Sequence, residues 1–220
     1  MPGTIAPVTR TGPRWVPNAL VWLRLVLAAV FIALLTGSPL ERPGVLWASV
    51  AVFVIAALTD MLDGRLARAW DAVSRFGRVM DPFADKVLVL GAFVCLAGPA
   101  FEAEVRLGVE VERSVQASGV RAWMAVVILA REMLVTSMRA LAEGEGQDFS
   151  AVRSGKLKMV AQSVGVPLII ATLALGAWRP GEWGRAVIDA TAWTMVGVTV
   201  VSGVPYVRKF FARGGEEHGR

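Results

Sequence analysis

Six uninterrupted apolar runs constrain this chain more than any other feature. They cover residues 21–36, broken only by Arg24; 45–59, without a charge; 87–101; 122–130; 159–177; and 186–205, broken only by Asp189. Several are shorter than the roughly 20 residues a helix needs to cross a bilayer, so flanking polar residues must complete them. The runs are continuous rather than alternating, which argues against a β-barrel. Hydrophobic residues make up 55% of the 220, with a mean hydropathy of +0.56, more than a soluble domain of this length buries. The predicted fold is therefore an all-α integral membrane protein with six transmembrane helices.

Charge orients it. The net charge is +5 and the pI about 10.1. With six spans, both termini share one side with the connections 60–86 and 131–158, and 16 of the 23 Lys and Arg residues fall there. The other side holds only Arg42, Arg106, Arg113, Arg121, Arg179 and Arg185, and Arg24 is left over inside the first span. By the positive-inside rule the richer side, with both termini, is cytoplasmic. The expected location is the cell (plasma) membrane, and the basic charge needs no nucleic acid to explain it.

The lone Cys95 excludes an intrachain disulfide, and the lone His218, in a charged tail, excludes chemistry that needs a buried histidine. Residues 1–15 lack the apolar core of a cleaved signal peptide. Residues 1–16 read as a cytoplasmic tail or surface segment, 17–210 as one membrane domain without repeats, and 211–220 as a disordered tail. The stretch 102–120 is expected to be a short amphipathic helix or a plain connection, and 144–150 a polar turn. Trp15, Trp22, Trp47, Trp123, Trp178, Trp183 and Tyr206 lie near span ends and read as interfacial anchors, with Trp70 against lipid headgroups.

Chemistry concentrates between Asp60 and Asp85. On a helix continuing past Thr59, Asp60, Asp63, Gly64, Ala67 and Arg68 form one stripe. Asp81 and Asp85 are one turn apart at the predicted start of the third span, with Pro82 suited to the first helical position. The short 69–80 connection predicts that spans two and three are antiparallel neighbours whose stripes face each other. Four carboxylates near apolar surface repel one another unless divalent cations join them. All-oxygen ligation points to Mg²⁺, Mn²⁺ or Ca²⁺. Beside Arg68, with Gly64 and Ala67 leaving room, such a site suits a diphosphate, and two metals suit an in-line phosphoryl displacement.

The pattern Asp60-x2-Asp63-Gly64-x2-Ala67-Arg68-x8-Gly77-x3-Asp81-x3-Asp85 resembles the signature of the CDP-alcohol phosphotransferases at every fixed position. The resemblance implies a six-helix membrane enzyme and a likeness in assembly, a homodimer. It implies two Mg²⁺ or Mn²⁺ ions on Asp60, Asp63, Asp81 and Asp85, and a CDP-alcohol held at Asp63, Gly64, Ala67 and Arg68. It also implies Asp85 as general base on the acceptor hydroxyl.

Within that family, Pro17-Asn18-Ala19-Leu20 with Arg24 resembles the opening of the phosphatidylglycerophosphate synthases. Arg131-Glu132, Ser137-x-Arg139, Gly155-Lys156-x-Lys158-x3-Gln162 and Thr199-x2-Ser202-Gly203 with Tyr206 resemble their later helices. The implied substrates are CDP-diacylglycerol, among membrane lipids, and glycerol 3-phosphate. Arg131, Arg139, Lys156 and Lys158 form a second basic cluster that suits an acceptor bearing its own phosphate. Glu132 beside Arg131 reads as a structural pair. Other acceptors of the family, inositol phosphate or phosphatidylglycerol, remain alternatives. A cation transporter is the reading from another class, but its acids would sit near the midplane rather than at one edge.

Overall fold

A computed structural model describes residues 15–70, 75–106, 112–144 and 153–217. Within these the side chains of 15–18, 60–70, 75–79, 81, 82, 85, 106, 112, 113, 143, 153–156 and 210–217 lie outside the described set. Helices α1 (Trp15–Thr36), α2 (Pro43–Trp70) and α3 (Arg75–Leu96) precede a hairpin of β1 (Glu102–Arg106) and β2 (Glu112–Gln116). Helices α4 (Ala122–Gly144), α5 (Arg153–Ala174) and α6 (Trp183–Glu217) follow. Six helices match the sequence expectation.

Three are long and apolar enough to cross a membrane, over Ala19–Thr36, Leu157–Ala174 and Trp183–Lys209. Shorter apolar stretches, Pro43–Thr59 and Lys86–Leu96, lie in α2 and α3. The apolar start of α4 is interrupted by Arg131, Glu132 and Arg139. Outward faces carry Trp22, Val26, Val94, Val126, Leu175 and Val201 at 56–68% exposure, a surface that needs lipid rather than water around it.

Each helix buries one stripe, and the stripe sets its packing. On α1 it is Val21, Arg24, Ala28, Phe31 and Leu35; on α2 it is Leu46, Ser49, Phe53 and Ala56. The Phe31 and Phe53 rings meet at 5.3 Å between centroids and 54° between planes. In lipid, helices associate by close packing rather than by a hydrophobic drive, and small residues permit it. A Cβ on Gly91 of α3 would stand 2.8 Å from Ile32 Cδ1 of α1, and one on Gly165 of α5 would stand 2.5 Å from Met195 Sδ of α6.

Helix α1 thus packs against both α2 and α3, α2 against α5, and α6 against α4 and α5. Among the described residues α1 is the main partner of both α2 and α3, while the facing of the motif segments 60–70 and 75–82 expected from sequence lies outside that set. The start of α3 differs from expectation. Its backbone is helical from Arg75, so Pro82 sits inside the helix rather than at its first position.

The region 102–120 is neither an amphipathic helix nor a plain connection. Its alternation of polar and apolar residues, Glu102-Ala103-Glu104-Val105 against Ser114-Val115-Gln116, has period two, and the strands pair antiparallel with Ala103 opposite Val115. The hairpin is tied down at both sides. Gln116 Nε2 and Ser118 Oγ both donate to Leu96 O, at 2.7 and 2.5 Å, and Arg185 Nη1 donates to Gln116 O at 2.7 Å. Gly119, at φ +65°, follows in a left-handed turn where a Cβ would meet Asp189 Oδ1 at 2.9 Å. At the other end, α6 stays helical to Glu217, into the 211–220 segment read from sequence as a disordered tail.

Candidate active site

The inward stripes extend into the residues singled out for chemistry. On α2 the series Leu46, Ser49, Phe53, Ala56 advances by three or four residues, and the next steps are Asp60, Asp63 and Ala67. On α3 the buried Leu88, Ala92 and Leu96 are preceded in the same register by Asp85 and Asp81. By backbone register, both carboxylate pairs therefore continue the faces that pack the bundle, beyond the apolar part of each helix. The side chains of Asp60, Asp63, Arg68, Asp81 and Asp85, and the positions of Gly64 and Ala67 relative to them, lie outside the described residues. By residue type alone, two carboxylates one turn apart on each helix would suit a hard cation such as Mg²⁺ or Mn²⁺. Among the described residues, which exclude those four side chains, no group of His, Cys, Asp or Glu could hold a metal ion.

Most of the second basic cluster is described, though the Lys156 side chain lies outside the described set. Helices α4, α5 and α6 bring together segments that lie up to 75 residues apart, counted from Arg131 to Tyr206. Glu132, 9% exposed, accepts from Lys158 Nζ at 2.6 Å and from Arg131 Nη1 at 3.0 Å, both on Oε1. The expected Arg131–Glu132 pair exists, and Lys158 joins it. Arg131 Nη2 donates to Ser202 Oγ at 3.0 Å, and Ser202 Oγ donates in turn to Thr199 O at 2.8 Å. Gln162 Nε2 donates to Thr199 Oγ1 at 3.1 Å, and that hydroxyl donates to Met195 O at 2.6 Å. Every polar side chain here has a partner in a neighbouring helix or its own, as burial in lipid requires.

Tyr206 corrects another expectation. It is no interfacial anchor but 1% exposed, with two guanidiniums near its ring, Arg131 at 5.9 Å and Arg139 at 5.8 Å from the centroid. The negative face of the ring attracts both cations and holds them near each other. Gly203 lies beside Arg131, where an added Cβ would be in ordinary contact with Arg131 Cγ at 3.4 Å. Trp22, Trp47, Trp123 and Trp183 do remain exposed near helix ends.

Among the described residues the cluster gathers three cations and one carboxylate: Arg131 and Lys158 pair with Glu132, and Arg139 lies on Tyr206. The Nε atoms of Arg131 and Arg139 are buried without a hydrogen-bond partner. Both hydrogen-bonding arms of Arg131 are committed, to Glu132 and Ser202. Arg139 makes only a 3.5 Å contact from Nη2 to Tyr206 OH, and Lys158 spends one of its three donors. Arg139 and Lys158 thus keep donors for an anion, whereas Arg131 braces the cluster.

One bond ties this cluster to the carboxylate motif. Lys86, next to Asp85 in α3, donates from Nζ to Thr136 Oγ1 of α4 at 2.8 Å. Thr136 lies one turn from both Glu132 and Arg139. The motif end of α3 therefore stands level with the basic cluster. Sequence reading did not assign Arg24, which is 1% exposed and partnered on the buried stripe of α1. Its spacing from Val21 and Ala28 is the signal that marks it as inward-facing.

Comparison with known proteins decides what kind of site this is. Residues 14–204 match the family described as CDP-alcohol phosphatidyltransferase. The chain belongs to the CDP-alcohol phosphatidyltransferase family. It is similar to the CDP-diacylglycerol–glycerol-3-phosphate 3-phosphatidyltransferase of Bacillus subtilis, 31% identical over 88% of this chain and 93% of that protein. Proteins of the same name from Cereibacter sphaeroides and Escherichia coli are 32% and 30% identical, over 70% and 76% of this chain and 62% and 79% of their own lengths. As a CDP-alcohol phosphatidyltransferase the chain is an enzyme of phospholipid biosynthesis, and the matched span takes in the carboxylate motif and most of the α4–α6 cluster.

Proposed function

We propose that this enzyme transfers the phosphatidyl group of CDP-diacylglycerol to sn-glycerol 3-phosphate, giving phosphatidylglycerophosphate and CMP. The observation that carries the choice of acceptor is the surplus-positive cluster of Arg139, Lys158 and Arg131, held level with the motif by the Lys86–Thr136 bond. An acceptor with its own phosphate needs such a cluster beside the reacting diphosphate. The names of the relatives point the same way.

In this mechanism Asp60, Asp63, Asp81 and Asp85 hold one or two Mg²⁺ or Mn²⁺ ions, which when bound offset the charge of the diphosphate. Asp63, Gly64, Ala67 and Arg68 seat the CDP-lipid, and Arg68 donates its fork to the diphosphate oxygens. Arg139, Lys158 and Lys156 hold the acceptor phosphate, which orients the free hydroxyl toward the lipid-side phosphorus. Asp85 removes the hydroxyl proton as the new O–P bond forms. The bond from that phosphorus to the bridging oxygen breaks, and CMP departs with the electron pair. The site faces the cytoplasm of the plasma membrane, with both termini on the same side, and the assembly is a homodimer.

The test is CMP release by the purified full chain with CDP-diacylglycerol and Mg²⁺, offered glycerol 3-phosphate, glycerol, inositol phosphate or phosphatidylglycerol. Glycerol 3-phosphate should be the preferred acceptor and free glycerol a poor one. Faster CMP release with inositol phosphate or phosphatidylglycerol would reassign the acceptor within the family.

A further inference from the structure

We propose that Glu132 is a positioning residue for the acceptor: it fixes where Lys158 and, through Arg131 and the Tyr206 ring, Arg139 present their free donors. This rests on glycerol 3-phosphate being the acceptor. Glu132 is the one described carboxylate inside a cluster that otherwise collects positive charge, and it is 9% exposed. A carboxylate there opposes anion binding, so its presence needs a reason other than attraction. The geometry supplies one. A single oxygen, Oε1, receives both Lys158 Nζ at 2.6 Å and Arg131 Nη1 at 3.0 Å, joining α5 to α4.

Lysine is a compact ammonium on a flexible four-carbon stem, and unheld it does not define a phosphate position. Tethered by one donor, the Lys158 ammonium keeps two for a ligand. Arg131, held by Glu132 and by Ser202, presents a fixed guanidinium to one face of Tyr206. The same ring carries Arg139, whose buried Nε lacks a hydrogen-bond partner. Lys158, Glu132, Arg131, Tyr206 and Arg139 are thus one continuous line of contacts, with Glu132 as the joint between its two phosphate-holding ends.

The experiment uses the full chain in detergent and compares Glu132→Asp, Glu132→Gln and Lys158→Met. For each variant the KM values for both substrates, kcat and the melting temperature are measured. Glu132→Asp keeps the charge but withdraws the carboxylate by about 1.5 Å, one C–C bond. If Glu132 positions the donors, Glu132→Asp and Glu132→Gln each raise the KM for glycerol 3-phosphate by about tenfold or more. The KM for CDP-diacylglycerol moves less than about twofold, and Glu132→Asp melts close to the native protein. Both KM values rising together, in step with a lowered melting temperature, would make Glu132 a brace of the bundle and overturn its positioning role. So would a native glycerol 3-phosphate KM in Glu132→Asp and Glu132→Gln while Lys158→Met raises it. A native KM in Lys158→Met itself instead refutes the acceptor pocket on which the inference stands.

Discussion

Replacing Tyr206 by leucine should open the basic cluster, whereas phenylalanine should keep it. The ring is 1% exposed and carries Arg139 at 5.8 Å and Arg131 at 5.9 Å, close to the outer limit of an effective cation–π contact. In a desolvated setting each contact contributes about 1–2 kcal/mol, so Tyr206→Leu forfeits about 2–4 kcal/mol from the two together. The smaller side chain adds a packing loss of about 1 kcal/mol. Tyr206→Phe retains the ring and loses the hydroxyl contacts, of which the 3.5 Å approach of Arg139 Nη2 is a weak one; the cost is about 1 kcal/mol. For a chain of this length 1 kcal/mol moves the melting temperature by about 2–4 °C. Tyr206→Leu should therefore melt about 10 °C lower than native, and Tyr206→Phe no more than about 4 °C lower, followed by tryptophan fluorescence in detergent. The KM for glycerol 3-phosphate should rise in the leucine variant alone. Equal melting temperatures and equal KM values for the two variants would show that the ring does not hold the guanidiniums.

Asp85→Asn should bind CDP-diacylglycerol nearly normally at saturating Mg²⁺ yet lose about 10²–10⁴-fold in turnover, as expected of lost proton transfer; full recovery at raised metal would make Asp85 only a ligand. Asp60→Asn should instead weaken metal and CDP-lipid binding together, measured by titration of each. EDTA should abolish CMP release, and either Mg²⁺ or Mn²⁺ should restore it; full activity in metal-free buffer refutes the carboxylate site. Arg68→Lys should weaken CDP-diacylglycerol binding because an ammonium cannot reproduce the bidentate fork; unchanged affinity and turnover would leave Arg68 a topology determinant.

Much of the bundle was legible because lipid imposes a simple code: six apolar runs gave six helices, and the backbone of α2 stays helical past Thr59 as the motif reading assumed. What failed were features decided by neighbours rather than by local pattern. Pro82 suits a helix start, yet nothing in a local window reveals that the helix begins seven residues earlier, at Arg75. The hairpin was readable in the alternation of 102–105, and the abundance of Glu there obscured it. Tyr206 sits near the end of an apolar run, where aromatic residues commonly meet headgroups, and it is the packing of α4, with Val135 and Ala142 beside Arg131 and Arg139, that buries it. Lys158 and Glu132 lie 26 residues apart on different helices, a pairing that one-dimensional periodicity does not encode.

The hydrogen-bonded ladder of α4, α5 and α6 stops abruptly. It descends from Arg131 through Ser202 to Thr199, whose hydroxyl turns back onto Met195 O of its own helix. Beyond that rung α6 offers Met195, Ala192 and Ile188, while α5 offers Val166, Ile169 and Leu173 and α4 Ile128 and Met124, all buried in one apolar cluster. The charged cluster therefore lies at one end of an apolar layer about two turns deep, and carrying an ion through that layer would cost far more than holding it at the cluster.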